Sequence, residues 1–338
     1  MFSRYSRDRC YVIAEIGGNF TTMEEATGLI DAAAQAGADA VKLQTFRAAT
    51  LSSRKAMFDM ENTGLMSQFD MFEKYEIDED LHRRVFAHAE QRGMDWFSTP
   101  SHPGDADMLD RLGAGAFKVG SDDACNIPFL KDLGRRGKPI MLSTGMCTLD
   151  EVKESVDAIL GTGNRQLMLL HAITNYPTHP ESVNLQAMQT LSRSFPDLDV
   201  GYSDHTLGPV ACIAAAAMGA RILEKHFTCD KTAEGPDHLL SADPAEMTGI
   251  VNAVRLFERM KGDGIKRPAA SEAGTRRNNR KSIVMDRPVT AGATLALADI
   301  AVKRPGYGIE PKYLESLVGR VVIKDLAADD ILTWDDLA

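Results

Sequence analysis

From residue 11 to about residue 261 the chain repeats one cycle, a short β-rich run followed by a helical pattern, and eight such runs can be counted. The predicted strands are Tyr11–Ile16, Ala40–Gln44, Asp95–Ser98, Ala116–Val119, Pro139–Ser143, Leu167–His171, Asp199–Tyr202 and Ile222–His226. Helical patterns such as Met23–Ala36, Asp80–Arg92, Leu149–Leu160 and Ala245–Lys261 fall between or after them. This alternation is the signature of βα units around a parallel sheet, and the count of eight predicts an α/β fold of the TIM (β/α)8 barrel type. In such barrels the chemistry sits on the loops that follow the strands, so unusual polar residues are expected at the strand C-termini.

They are found there. Glu15 lies near the end of the first strand, Lys42 and Gln44 at the second, Thr99 after the third, Lys118 with Ser121 at the fourth and Ser143 at the fifth. Thr174 and Tyr176 follow the sixth strand, and Ser203, His205, Glu224 and His226 the last two. Barrel interiors are normally filled by Val, Ile and Leu, so a lysine on two strands needs a charged partner. Lys42 and Lys118, two strands apart with hydroxyls between them, form the parts of an oxyanion cradle for phosphate or carboxylate. The alternative for Lys118 is a structural ion pair with Asp123.

Residues 201–226 carry the second constellation, a strand ending in Ser-Asp-His, a small-residue helix from about Pro209 to Met218, and a strand ending in His226. Side chains alternate along a strand, so His205 points with Ser203 and His226 with Glu224. Neighbouring parallel strands lie about 4.8 Å apart, close enough for the two histidines to share one ion. The competing reading is two histidines satisfied by packing. Two histidines are too few for a structural zinc, but they suit a divalent ion in a site left open to substrate. Glu15 and Glu224 are placed to order a water or act as acid or base. Asp237 either binds polyol hydroxyls or caps its own turn. Among the other histidines, His171 is the one nearest a functional position.

A net charge of −10 on 338 residues argues against a nucleic-acid surface while leaving room for a small basic pocket. The five cysteines show no C-x-x-C pairing or zinc spacing and read as reduced thiols without thiol chemistry. No window approaches the roughly 18 apolar residues of a membrane span, and the first ten residues lack an apolar signal core. A cytoplasmic enzyme with no membrane partner is the expectation. The insert from Arg47 to Ile77 is longer than ordinary βα loops and is placed to form part of a lid, with its Met and Phe residues read as packing. Residues 1–265 are assigned to the barrel, 266–280 to a linker and 281–338 to a small second domain.

Motifs spread along the chain resemble the sialic acid synthases, including the legionaminic and pseudaminic acid synthases and spore-coat polysaccharide homologues. They are AEIGGN at 14–19, DAAAQAGADAVKLQTF at 31–46, FSTP at 97–100, KVGS at 118–121, KPIMLSTGM at 138–146, YPTHPESVNL at 176–185, GYSDHTLG at 201–208, LEKHFT at 223–228 and GPDH at 235–238. VKRPGYGI at 302–309 resembles the family's small antifreeze-like (SAF) domain. The resemblance implies condensation of phosphoenolpyruvate with an N-acetylated amino sugar, N-acetylmannosamine or a diacetamido-dideoxy hexose, and water. The products would be a nine-carbon 2-keto acid and phosphate. It implies a divalent metal (Mn2+, Mg2+ or Co2+) on His205 and His226, and a homodimer with exchanged small domains. By the same resemblance Lys42, Thr99, Lys118, Ser121, Ser143, Thr174 and Ser203 match the positions that grip phosphoenolpyruvate. Glu15, Gln44, Tyr176, Glu224 and Asp237 match the sugar and water side, and Arg280, with Arg276 and Arg277 as rivals, matches the residue that reaches the partner's acyl sugar.

Two stretches depart from the family pattern. Asn19-Phe20 stands where Asn-His is usual, and the turn after it reads Thr21-Thr22. Asp122-Asp123 puts an extra acid beside the cradle. The remaining alternatives are the sister synthases of octulosonate or heptulosonate phosphates, which demand a second phosphate site, and a non-catalytic sugar-binding homologue.

Overall fold

The computed structural model describes residues 3–60 and 64–338, and these form two compact units that divide between Gly262 and Asp263. In the first, eight parallel strands close into a barrel: β1 (Tyr11–Glu15), β2 (Ala40–Thr45), β3 (Asp95–Pro100), β4 (Phe117–Val119), β5 (Ile140–Ser143), β6 (Leu167–Ala172), β7 (Asp199–Asp204) and β8 (Ile222–His226). Each strand pairs with its sequence neighbour, and β1 closes the ring on β8 with Tyr11 opposite Ile222 and Glu15 opposite His226.

The alternation of side chains divides the strand residues into two cores. Val12, Ala14, Val41 and Leu43 face outward and pack against the helices. Ile13, Phe97, Met141, Leu170 and Ile222 face inward and fill the barrel. Gly201 stands where a Cβ would fall 2.7 Å from Leu170 Cδ2 and 2.8 Å from Ile222 Cβ, so only glycine lets β7 approach its neighbours at that level. Apolar side chains plug the interior below, and the polar residues that line a cavity gather at the C-terminal mouth.

The strands differ from the sequence expectation mainly at those ends. β3 runs on through Thr99 to Pro100 and β7 through Ser203 to Asp204. The backbones at both ends are held by ladders that continue to Thr45 opposite Pro100 and to Lys225 opposite Asp204.

The departure after β1 has a structural explanation. Phe20 is buried in the barrel–helix core, and Thr22 caps the first helix, Met23–Ala36, with Glu25 completing a capping box. Asn19 Nδ2 donates to Phe227 O at 2.9 Å and to Ser241 Oγ at 3.0 Å, tying this loop to the one after β8.

The insert after β2 holds a short hairpin (Met57–Met60 with Gly64–Ser67) and a helix, Gln68–Tyr75. The second unit has its own apolar centre, built from residues including Ile283, Met285, Ile309, Leu317 and Leu332 around a two-stranded antiparallel sheet, Ser282–Met285 with Ile300–Lys303. Part of the stretch read as linker is helical, over Ala273–Asn279. No helix among the described residues is long and apolar enough to cross a membrane.

Candidate active site

A cavity of about 270 Å³ opens at the barrel mouth, lined by residues from the ends of six strands and from loops that include those after β1 and β6. Of the predicted residues, Lys42, Gln44, Thr99, Lys118, Ser121, Ser143, Thr174, Tyr176, Ser203, His205, Glu224, His226 and Asp237 all line it. Glu15 does not. It is fully buried beneath Lys42, where Oε2 pairs with the ammonium and Oε1 accepts from the Gly17 backbone N–H at 2.5 Å. Arg280 belongs to the second unit, exposed and 3.9 Å from Glu310, while Arg277 lies over the Tyr307 ring at 5.0 Å.

The basic side of the cavity is a buried relay. Lys42 donates to Thr99 Oγ1 at 3.0 Å, and Lys118 to Ser143 Oγ at 2.7 Å and to Val119 O at 3.2 Å. Glu224 Oε1 lies 3.8 Å from Lys42 and 3.6 Å from Lys118, and accepts from Ser203 Oγ at 3.0 Å. Asp123 is not the partner of Lys118; its carboxylate accepts from Asn126 at 2.8 Å. Burial lowers the Lys118 ammonium's pKa, and the nearby carboxylates only partly offset this. Burial would lower Lys42 too, but Glu15 and Glu224 reverse the sign and hold it above the usual value. Burial acts to raise Glu224, yet Lys118, Lys42 and the Ser203 hydroxyl together hold it low, so it is a carboxylate at neutral pH.

Across the cavity stand the two histidines. Extending the β7–β8 register by one residue beyond Lys225 opposite Asp204 sets His226 level with His205, and their ring centroids are 5.5 Å apart. His226 ends β8, whereas His205 is one residue past β7. His205 Nδ1 is bonded to Ile173 O at 2.7 Å, which leaves Nε2 as the free lone pair. His226 Nδ1 is buried without a hydrogen-bond partner, 3.4 Å from Asp237 Oδ2. Burial pushes His205 down to about 4 and His226 well below its usual value, so both are neutral imidazoles, the form that binds metals. No group of three or more His, Cys, Asp or Glu among the described residues forms a complete cage. An ion on these two nitrogens therefore needs ligands from outside the chain, as an open site does.

Burial also raises Asp237 from 3.8 to about 7, with Lys42 opposing. A carboxyl that is neutral in the folded state and ionised in the unfolded one binds more protons when folded, so stability falls as pH rises between those two values. Asp237→Asn is expected to flatten that part of the stability–pH curve, which denaturant unfolding at stepped pH would detect; an unchanged slope would contradict the assignment.

Three features were not legible beforehand. His171 turns outward, 2.8 Å from Val183 O, and takes no part in the cavity. Asp204 and Lys225, which alternate with the cavity residues of their strands, form a fully buried ion pair at 2.7 Å behind the histidines. The apolar residues of the insert are more than packing: Leu51, Phe58, Met71, Phe72 and Tyr75 line the cavity with Phe46, and Phe72 makes edge contacts with both Phe46 and Phe58. The available signal was the insert's length between β2 and the next barrel helix.

The match to the NeuB family spans residues 29–266, more than half of the chain. The chain belongs to the NeuB family. A SAF domain follows at residues 280–338. This NeuB-family chain is 39% identical over 343 residues to the N,N'-diacetyllegionaminic acid synthase of Legionella pneumophila, covering 99% of this chain and 96% of that protein. It is 32% identical over 334 residues to a pseudaminic acid synthase of Campylobacter jejuni, covering 97% and 96%. Among solved structures, the spore coat polysaccharide biosynthesis protein SpsE of Bacillus subtilis superposes with a TM-score of 0.69 at 30% identity, covering 100% of this chain and 98% of that one.

Proposed function

We propose that this chain condenses phosphoenolpyruvate with an N-acetylated amino sugar and water, giving a nine-carbon 2-keto acid and phosphate. The observation that carries the reading is one cavity with two buried lysines and hydroxyls on one wall and two neutral histidines on the other. Lys118 with Ser143 and Ser121, and Lys42 with Thr99, hold the anionic groups of phosphoenolpyruvate. Thr174 Oγ1 is buried without a hydrogen-bond partner and is available as a further donor. His205 and His226 would hold a divalent ion, which when bound supplies Lewis-acid polarisation of the open-chain aldehyde. Tyr176, packed 4.2 Å from the His205 ring, keeps water from that side. Gln44 and Asp237 face the sugar, with Asp237 able to donate a proton until about pH 7. Carbon–carbon bond formation from C3 of phosphoenolpyruvate leaves a cationic C2 that water must quench. Glu224 Oε2, buried and without a hydrogen-bond partner, would take that water's proton before phosphate departs by carbon–oxygen cleavage.

A homodimer with exchanged small domains completes the reading, with Arg280 as the residue offered to the partner. Exposed apolar residues on the barrel mouth (Leu207, Val210, Leu239) and on the small unit (Tyr307, Ile323, Trp334) support association. Sedimentation giving the mass of one chain would remove this part.

The test of the whole is phosphate release. It is expected only with phosphoenolpyruvate, a divalent metal and an N-acetylamino sugar together, and to stop on chelation. A panel of N-acetylmannosamine and diacetamido-deoxy hexoses that yields no turnover with any member, at any divalent metal, would end the synthase reading.

A further inference from the structure

Two of the five cysteines meet on the rim of the barrel. Cys125 follows the turn after β4 and Cys147 the turn after β5, and their sulfurs are 3.8 Å apart, in van der Waals contact. Each stands one residue before the N-cap of a helix, Asn126 for Ile127–Arg135 and Thr148 for Leu149–Leu160. Cys125 is exposed and Cys147 half-buried, whereas Cys10 and Cys212 are sealed in the core. An accessible thiol with a second one poised behind it is the arrangement of a redox-responsive pair.

The same two loops touch the cavity. Gly145 N–H donates to Ser121 Oγ at 3.1 Å, and a Cβ on Gly145 would fall 2.5 Å from Thr174 Oγ1 and 2.7 Å from Ser121 Oγ. The loops are therefore already in close register, with Ser121 and Thr174 both on the cavity wall. Joining the sulfurs requires them to close to about 2.05 Å with the dihedral a disulfide demands, and any backbone adjustment this imposes on the two loops reaches the Gly145–Ser121 contact.

We propose that Cys125 and Cys147 form a reversible dithiol–disulfide site, oxidised by a small-molecule disulfide such as glutathione disulfide, that weakens anion binding in the cavity when closed. The exposed Cys125 thiolate attacks one sulfur of glutathione disulfide, forming a mixed disulfide and expelling one glutathione thiolate. Cys147 then loses its proton to solvent, and its sulfur attacks the Cys125 sulfur and expels the second glutathione. Two protein thiols are oxidised and one glutathione disulfide is reduced to two thiols, with no other reactant. Burial and the neighbouring Cys125 push the Cys147 thiol up to about 12, which assigns the first attack to Cys125.

The experiment treats the full chain with glutathione disulfide and maps the products by peptide mass spectrometry. Exposed Cys229, whose sulfur lies 3.8 Å from the Gly28 carbonyl, is the internal control and should stop at a mixed disulfide with glutathione. The expected result is a cross-linked peptide pair containing Cys125 and Cys147, undone by dithiothreitol, while in Cys147→Ser Cys125 stops at the glutathione adduct. Calorimetry with phosphoenolpyruvate, which rests on the function proposed above, should show a Kd about tenfold weaker for the oxidised protein, the loss of about one hydrogen bond to a charged group. Cys147→Ser should bind equally well before and after oxidant. Full modification of Cys229 with no Cys125–Cys147 cross-link overturns the site. A cross-link with unchanged Kd overturns its coupling to the cavity. Absence of phosphoenolpyruvate binding to the reduced protein counts instead against the proposed function, and the cross-linked peptide still decides the thiol site.

Discussion

Lys118→Met is expected to lower kcat/KM for phosphoenolpyruvate about a hundred- to a thousandfold, the usual effect of deleting one pre-organised donor from a dry site. Lys118 is suited to such a role because its side chain is 3% exposed and its ammonium is aligned by Ser143 and the Val119 carbonyl. Methionine keeps the volume and removes the charge. The fold should tolerate it: Glu224 keeps Lys42 at 3.8 Å and the Ser203 hydroxyl. Steady-state phosphate release, checked against unchanged circular dichroism, reads the effect. Activity within tenfold of the parent would show that Lys118 serves the barrel and not the substrate.

A second large effect is expected behind the histidines. Asp204 and Lys225 are 0% and 1% exposed, and Asp204 accepts further bonds from Tyr202 OH at 2.9 Å and from the Thr206 backbone N–H at 3.0 Å. Asp204→Ala strands a buried ammonium and should cost about 3–5 kcal/mol in the barrel's unfolding transition, measured by denaturant titration. The double replacement Asp204→Leu with Lys225→Met removes both charges and should restore most of that loss. If the single change costs under about 1 kcal/mol, water reaches the pair and the histidines lack a dry backing. Because Asp204 and Lys225 alternate with Ser203, His205, Glu224 and His226 along their strands, this lock also fixes the spacing of the two histidines.

Much of the site was readable because barrel geometry converts position in sequence into position in space. A polar residue at the C-terminal end of an interior-facing register, such as Lys42, Lys118 or Glu224, must point into the mouth. The reading was weakest where a side chain's neighbour comes from a distant segment. Glu15 has the same register as the cavity residues, yet the close approach of Gly17 to Gln44, with a hypothetical Cβ 2.6 Å from the Gln44 backbone nitrogen, seals it beneath Lys42. Cys125 and Cys147 are 22 residues apart, and no spacing rule relates them; adjacency of β4 and β5 does.

By itself, the amino-acid order determined the eight-stranded cycle, the clustering of charge and hydroxyls at strand ends and, through its motifs, the family. These follow from local patterning, in which period-two runs and helical runs alternate and polar residues interrupt them at fixed places. Tertiary structure alone decided which charges pair, that burial raises the Asp237 carboxyl, and that the insert's aromatic residues wall the cavity. Those outcomes depend on desolvation and on contacts between segments remote in sequence. The histidine pair shows the division: its register is written in two strands, while its neutrality comes from burial in the cavity wall.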